Sequence, residues 1–192
     1  MPLILASASP RRSELLRNAA ITFSVEPAHV LEQASPNEKP VDYAQRLARD
    51  KARAVYGRHP DSAVLGADTV VVIDKHLLEK PCDQGDAARM LRLLSARTHQ
   101  VITGVCLVAP GFERSEAEIT RVTFSPLSED EIAHYVQTGE PMDKAGGYAI
   151  QGIASRWMER IEGCYFNVVG LPLPRVYRMF RAAEAVTGLP LL

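Results

Sequence analysis

The stretch Leu3-Ile4-Leu5-Ala6-Ser7-Ala8-Ser9-Pro10-Arg11-Arg12 decides the fold, because a short apolar run leads directly into a helix start. Ser9 suits the N-cap, and Pro10 suits the first helical position, where an amide proton would lack a partner. The remaining amide groups and the helix dipole at such a start attract an anion. Arg11 and Arg12 are unfavourable there unless an anion joins them. The stretch therefore indicates either a phosphate site or a solvated basic turn, and the rest of the chain must decide.

Composition limits the class of protein. At 192 residues the chain fits one domain or two small lobes, and it can bury a core without disulfides. The 22 basic and 23 acidic residues nearly balance, which argues against a protein that coats nucleic acid. The three cysteines are far apart and have no metal-ligand spacing, which is typical of reduced thiols in a cytosolic protein.

The apolar segments are too short for a membrane protein. No run approaches the roughly 18 apolar residues of a transmembrane helix. The apolar residues that precede Ser7 are also too few for a signal peptide, and no basic segment comes before them. We expect a cytoplasmic protein with neither a membrane nor a nucleic acid as its partner.

Strand-like and helix-like segments alternate along the chain, and this favours an α/β domain with a mixed sheet. Two segments, 27–40 and 139–152, are polar or glycine-rich and irregular. The predicted strands are 3–6, 23–26, 63–73, 101–108, 118–124 and 157–161, and the predicted helices are 10–18, 41–57, 83–95, 128–138 and 173–186.

The helix predicted over 41–57 carries a lysine on its apolar face. Lys51 lies seven residues after Ala44 and four after Leu47, which places it near the middle of that face. A lysine in this position either extends its ammonium group to the edge of the core or meets an anion in a cleft. The helix alone leaves both interpretations open.

The run 63–73 contains an acidic residue, Asp68, among aliphatic neighbours. An unpaired buried carboxylate costs several kcal/mol, so Asp68 requires a cation, a metal or an exit to solvent. Gly66 allows another backbone to approach closely beside it. The structural alternative is a turn, because Gly66-Ala67-Asp68-Thr69 interrupts the run at its middle.

Further charged residues strengthen the case for phosphate chemistry only in combination. Lys80 follows a turn, Lys144 lies in a glycine-containing loop, and Glu32 lies in an irregular segment. The histidines show no metal-ligand spacing, and the chain has no P-loop motif. Charge neutralisation and positioning supply most of the catalysis in phosphoryl transfer. The basic side chains that can surround an anion are Arg11, Arg12, Lys51, Lys80 and Lys144, and the carboxylates available for a divalent metal are Asp68 and Glu32.

These residues lie in motifs through which nearly the whole chain resembles the Maf family of nucleotide pyrophosphatases. The resemblance implies one Maf-like domain over residues 1–192. It also implies an α/β fold, in which helices flank a mixed twisted sheet and two lobes surround a nucleotide cleft, as in ITPase-like proteins. The matching motifs are Leu5-Ala6-Ser7-Ala8-Ser9-Pro10-Arg11-Arg12, Leu47-Ala48-Arg49-Asp50-Lys51-Ala52, Gly66-Ala67-Asp68-Thr69, Glu79-Lys80-Pro81, Gly139-Glu140-Pro141, Asp143-Lys144-Ala145-Gly146, Ile150-Gln151-Gly152 and Val169-Gly170-Leu171-Pro172.

The activity implied by the resemblance is hydrolysis between the α and β phosphates of a nucleoside triphosphate. The products are a monophosphate and pyrophosphate, and the cofactor is a divalent cation, Mg²⁺ or Mn²⁺. Our hypothesis is that Asp68 acts as a general base toward water or holds the metal, with Lys51 and Lys80 neutralising the triphosphate. Glu32 is the second expected metal ligand, although the family often has an acidic residue where this chain has Leu31. The expected substrate-binding residues are Ser7, Arg11, Arg12, Thr69, Lys144 and Gln151.

Within the family the chain is similar to the branch that acts on dTTP and UTP. The positions that carry this similarity are Arg12, Thr69 and Gln151. The amide of Gln151 can accept from a pyrimidine N3–H and donate to O4, but a flipped amide also suits cytosine, so Gln151 alone does not exclude CTP. Modified pyrimidine nucleotides are further expected substrates.

Two other functions remain open from the sequence. One is the same chemistry on modified or noncanonical purine nucleotides, and the other is a nucleotide-binding regulator of cell division without turnover. The sequence also leaves open the preferred metal and the oligomeric state, for which a homodimer is one option.

Overall fold

Seven strands form one mixed sheet within residues 1–191, the part of the chain that the computed structural model describes. The strands are β1 Leu3–Leu5, β2 Ser24–Val25, β3 Ala63–Ile73, β4 His76–Leu78, β5 Thr98–Ala109, β6 Phe112–Phe124 and β7 Met158–Glu162. Their order in the sheet is β2-β1-β3-β5-β6-β7, with β4 paired to β3 off this path. β1 runs parallel to β2 and β3, whereas β3 with β4 and β6 with β7 are antiparallel. The predicted α/β fold with a mixed sheet is confirmed.

Helices alternate with the strands as the sequence predicted. The helices are α1 Pro10–Asn18, α2 Pro40–Tyr56, α3 Gln84–Leu94, α4 Glu129–Gln137, α5 Tyr165–Val169 and α6 Leu173–Thr187. The chain also forms three short 3₁₀ helices, Glu140–Asp143, Ala145–Gly147 and Ile153–Trp157. None of the helices within residues 1–191 combines the length and the apolar character needed to cross a bilayer.

The helix start after β1 forms at the predicted residues, but its serine caps differently than expected. Pro10 occupies the first turn and Ser9 has the extended backbone of an N-cap residue, yet the Ser9 side chain makes no capping hydrogen bond. Its backbone carbonyl accepts from the Ser13 amide at 3.3 Å. The Ser9 amide donates to the Ser7 hydroxyl at 3.2 Å. Ser7 is therefore tied to the start of α1.

The turn considered at the middle of the run 63–73 does not form. Gly66-Ala67-Asp68-Thr69 lies inside the continuous strand β3. Glycine is needed here for space, because a Cβ at Gly66 would lie 2.1 Å from the carbonyl oxygen of Ala48 in α2. A Cβ at Gly104 in β5 would lie 2.2 Å from the Ala44 carbonyl oxygen of the same helix. Two adjacent strands thus bring α2 unusually close to the sheet.

The chain divides into two compact units. The first contains Met1–Asp68, Thr103–Glu118 and the part from Gly170 onward, and the second contains Thr69–Ile102 and Ile119–Val169. The division falls within β3, β5 and β6. The single domain expected over residues 1–192 stays a prediction, and residue 192 lies outside the described residues.

Each unit has its own apolar core. In the first unit, the face of α2 with Ala48, Ala52 and Val55 packs with strand residues such as Val64. The core of the second unit is richer in aromatic side chains, which are Phe124, Tyr135, Tyr148 and Trp157. The predicted site residues are divided between the two units.

Candidate active site

In the first unit, Arg12 is fixed by three oxygen acceptors. Its Nη1 donates to the Ser7 hydroxyl at 2.9 Å and to the Ala67 carbonyl at 3.0 Å, and its Nε donates to the Gly170 carbonyl at 2.8 Å. Burial lowers the pKa of Arg12, which the Asp68 charge opposes and the neighbouring Arg11 charge reinforces. An arginine still remains protonated near neutral pH. The structure therefore holds a permanent positive charge at the beginning of α1.

Lys51 lies inward from α2, as predicted, and its ammonium group contacts two carboxylates. Lys51 Nζ lies 2.6 Å from Asp68 Oδ1 and 2.7 Å from Glu32 Oε1. Lys51 and Asp68 are only 8% and 7% exposed, whereas 43% of the Glu32 side chain is exposed. Because a buried charge requires a partner, the buried pair explains how α2 and β3 tolerate these residues.

The environment of Asp68 favours its protonated form more than water does. Burial raises the pKa of Asp68, while the positive charges of Lys51 and Arg12 lower it and the Glu32 charge raises it further. A carboxylate in such a setting accepts a proton more readily than an exposed aspartate. Proton acceptance is thus within the chemical capacity of Asp68.

The carboxylates of Glu32 and Asp68 have the chemistry that a hard divalent cation requires. Mg²⁺ is commonly bound through one or two carboxylates together with substrate phosphates and waters. The two side chains meet at the same lysine ammonium group, so both reach one location in the first unit. Within residues 1–191 no group of three or more His, Cys, Asp or Glu side chains is placed to hold a metal. The donor set fits a cation that the substrate helps to coordinate.

The second unit contains the other predicted site residues, Thr69, Lys80, Lys144 and Gln151. Thr69 is half-buried in β3, and Lys80 and Gln151 are exposed. Lys144 Nζ donates at 2.5 Å both to the Glu140 carbonyl and to Asp143 Oδ1. The backbone links two of these segments, because the Gly146 amide donates to the Glu79 carbonyl at 3.0 Å.

Some groups that hold these residues were not singled out from the sequence. The Ala67 and Gly170 carbonyls fix Arg12, and the Glu140 carboxylate accepts from the Ile153 amide close to Gln151. Ala67, Gly170 and Glu140 all lie within motifs that carry the family resemblance. Their place in these motifs is the only sign in the sequence that they belong to the site, since every residue has a backbone carbonyl and residue type does not show which carbonyl binds Arg12.

The fold and these charged groups define an α/β protein in which a strand-to-helix turn and a buried lysine–carboxylate pair lie in one unit. The family model described as Maf-like protein matches residues 2–183. The chain belongs to the Maf family, and the resemblance found in its motifs is confirmed.

Curated relatives extend over nearly the whole chain. A protein from Koribacter versatilis (strain Ellin345) is 64% identical over 183 residues, which is 95% of each chain. One from Symbiobacterium thermophilum is 53% identical over 92% of this chain and 91% of its own. One from Thermococcus onnurineus (strain NA1) is 51% identical over 92% of this chain and 95% of its own. All three are named dTTP/UTP pyrophosphatase, which confirms the predicted similarity to that branch.

Proposed function

We propose that this protein is a nucleoside triphosphate pyrophosphatase that hydrolyses dTTP and UTP to the monophosphate and pyrophosphate. The observation that carries the proposal is the buried Lys51 ammonium group, held by Asp68 and Glu32 in the unit that also anchors Arg12. Family membership and the names of the relatives support the same reaction and the same bases.

In this proposal Asp68 accepts the proton of the attacking water. The water oxygen forms a bond to the α-phosphorus, the bond from that phosphorus to the oxygen bridging the α and β phosphates breaks, and pyrophosphate leaves with that oxygen and the bonding electron pair. Lys51 keeps the Asp68 carboxylate oriented through their 2.6 Å hydrogen bond. Lys51, Arg11, Arg12, Lys80 and Lys144 supply the positive charge that offsets the charge of the triphosphate.

Glu32 and Asp68 are the residues that would hold Mg²⁺ or Mn²⁺. When bound, such a cation neutralises phosphate charge and orients the triphosphate. Holding the cation, rather than accepting the proton, is the alternative role for Asp68. Both roles require an ionised carboxylate at this position.

Selectivity for thymine and uracil is assigned to Gln151, Thr69 and Arg12. The exposed amide of Gln151 can accept from a pyrimidine N3–H and donate to O4. The Arg12 guanidinium is held by hydrogen bonds to the Ser7 hydroxyl and the Ala67 and Gly170 carbonyls, so its position is set before a substrate binds. Modified pyrimidine nucleotides with the same base edge are included in the proposal.

The experiment is a panel of pyrimidine, purine and modified triphosphates incubated with the full chain and Mg²⁺ or Mn²⁺. Pyrophosphate and monophosphate are quantified for the unaltered chain and for Asp68→Asn. We expect dTTP and UTP to be preferred, and Asp68→Asn to lower turnover by about 10²–10⁴-fold. Asp61→Asn, at an exposed residue of the first unit, is the matched control and should retain turnover.

The other outcomes identify the alternative functions. Unchanged turnover in a folded Asp68→Asn variant contradicts the role of Asp68. Preferred cleavage of modified purine triphosphates supports the purine alternative, and tight binding without pyrophosphate release supports a regulator of cell division. A cytoplasmic location, the absence of a nucleic-acid partner and a homodimeric state stay predictions.

A further inference from the structure

The motif Gly139-Glu140-Pro141 has no role in the proposed reaction, yet the carboxylate, carbonyl and amide of its acidic residue all form hydrogen bonds. Glu140 begins the 3₁₀ helix Glu140–Asp143 and is half-buried. Its amide donates to the Thr138 hydroxyl at 3.1 Å. Its carboxylate and its carbonyl each bind a segment that carries a predicted substrate-binding residue.

The carboxylate holds the segment that follows Gln151. The Ile153 amide donates to both Glu140 oxygens, at 3.2 Å to Oε1 and 3.3 Å to Oε2. Ile153 is the first residue of the 3₁₀ helix Ile153–Trp157. Amides at a helix start have no partner within the helix, so an ionised acceptor is especially favourable there.

The backbone of Gly152 approaches the same carboxylate closely. A Cβ at Gly152 would lie 2.0 Å from Glu140 Oε1 and 2.6 Å from Cδ. Glycine at this position therefore lets the chain pass directly over the carboxylate. Since Gly152 and Ile153 follow Gln151 immediately, their contacts with Glu140 limit the positions that the Gln151 backbone can adopt.

A buried tyrosine that precedes Glu140 in the chain also holds the Glu140 carboxylate. The Tyr135 hydroxyl donates to Glu140 Oε1 at 3.0 Å, and Tyr135 is 1% exposed. Burial raises the pKa of this hydroxyl, so it remains a protonated donor near neutral pH. Its ring lies edge-on to Trp157 with centroids 5.1 Å apart, which anchors it in the core of the second unit.

The carbonyl of Glu140 holds the other predicted binding residue. It accepts from Lys144 Nζ at 2.5 Å, and only 12% of the Lys144 side chain is exposed. One residue thus connects the Lys144 ammonium group and the Gln151 segment to the same core tyrosine. Since these contacts fix the backbone that follows Gln151, they limit the positions from which the Gln151 amide reaches a base.

We propose that Glu140 is a positioning residue that sets the orientation of Gln151 and thereby the selectivity for thymine and uracil over cytosine. The inference rests on the proposed function, because it assigns Glu140 a role in choosing among substrates of that reaction. Glu140 acts through its hydrogen bonds to the Ile153 amide and Tyr135 hydroxyl rather than by touching the substrate.

The decisive variant is Glu140→Gln, with kcat and KM measured for dTTP and CTP. The substitution keeps the size of the side chain but replaces one acceptor oxygen by an NH₂ group that faces a donor. We expect kcat/KM for dTTP to fall about 10- to 100-fold while that for CTP changes little, so the ratio falls by the same factor. Glu129→Gln is the matched control, because Glu129 is exposed in the same unit and its carboxylate pairs with Arg92, so its dTTP-to-CTP ratio should be unchanged.

A second variant and a second measurement distinguish positioning from general stabilisation. Tyr135→Phe removes one donor to Glu140 and should lower the dTTP-to-CTP ratio less than Glu140→Gln does. An unchanged ratio in Glu140→Gln, or an equal loss for both nucleotides, overturns the proposal and assigns Glu140 a structural role only.

Hydrogen exchange separates this proposal from the proposed function. The Ile153 amide should exchange about 10-fold faster in Glu140→Gln than in the unaltered chain and should be unaffected by Glu129→Gln. Unchanged exchange at Ile153 overturns the positioning role whether or not the chain turns over nucleotides. Absence of pyrophosphate release from the unaltered chain instead contradicts the proposed function.

Discussion

Replacing Gly66 by alanine tests whether the close approach of α2 to the sheet determines how Lys51 meets Asp68. Gly66 lies two residues before Asp68 in β3, and the atoms that face it belong to Ala48 and Ala52, which flank Lys51 in α2. The lysine and its carboxylate therefore lie directly beside the contact that the new methyl group would disturb.

The structure sets the size of the effect. The added Cβ would lie 2.1 Å from the Ala48 carbonyl oxygen and 2.8 Å from the Ala52 amide nitrogen, whereas ordinary contacts begin at 3.4 Å. Both opposing atoms are backbone, so α2 and β3 must separate by about 1 Å or more, and overpacking of this kind costs about 1–3 kcal/mol. We expect a loss near 3 kcal/mol, which for a chain of this size lowers Tm by about 6–12 °C. The displaced Lys51–Asp68 pair should lower turnover by about 10- to 100-fold.

The measurement is thermal and urea unfolding together with pyrophosphate release, and a glycine in the same helix region supplies the control. Gly57 follows α2 with an αR backbone, and a Cβ there would lie 3.5 Å from the Arg53 carbonyl oxygen. Gly57→Ala should be neutral or stabilising by about 0.4–1 kcal/mol, since it restricts only the unfolded chain. Equal stability of Gly66→Ala and Gly57→Ala would refute the reasoning about close approach.

Two further predictions concern residues away from Gly66. Arg46 lowers the pKa of Glu38 to about 2, so their bond stabilises the fold above pH 4.5 and is lost as the pH falls toward 2. Arg46→Lys loses the bidentate contact with Glu38, so urea unfolding near neutral pH should show that the free energy of unfolding falls by about 1 kcal/mol. Arg53→Lys, at a more exposed arginine, should lower it by only about a few tenths of a kcal/mol. Equal losses in the two variants would contradict the prediction. Burial lowers the pKa of His99 to about 4 from an ordinary 6.5, so the unfolded chain takes up a proton first as the pH falls. The free energy of unfolding should decline by up to about 3 kcal/mol across that interval, and a folded His99→Asn variant with the same decline would disprove this origin.

Contacts between residues close in sequence could be predicted, because residue type and spacing encode them. Pro10 marked the first turn of α1, and the apolar spacing of α2 placed Lys51 on its buried face. The helix predicted over 128–138 begins with a capping box, in which the Glu131 amide donates to the Ser128 hydroxyl. In each case the partners are separated by only a few residues, so the helix geometry alone brings them together.

Contacts between residues distant in sequence could not be predicted in the same way. Arg12 is fixed by the backbone carbonyls of Ala67 and Gly170, and every residue has such a carbonyl, so residue type carries no information about this pairing. For a similar reason, the sequence did not decide whether a turn interrupts the run that forms β3. The sequence left both a turn and a close approach of another backbone open at Gly66, because glycine serves both, and only the position of α2 in three dimensions separates the two.

The charged residues of the site in the first unit could not be predicted from the overall composition of the chain. Three positive side chains, Arg11, Arg12 and Lys51, are largely offset there by two negative ones, Asp68 and Glu32. A cluster that is nearly balanced adds little to the net charge of −1, so the overall composition shows no surplus of basic residues that would indicate an anion site. What indicates the site in the sequence is that charged residues occupy positions where apolar residues are expected, on the inner face of α2 and within β3. Because each buried charge is tolerated only with its partner in place, the approach of α2 to β3 that brings Lys51 to Asp68 is a condition of both the fold and the site.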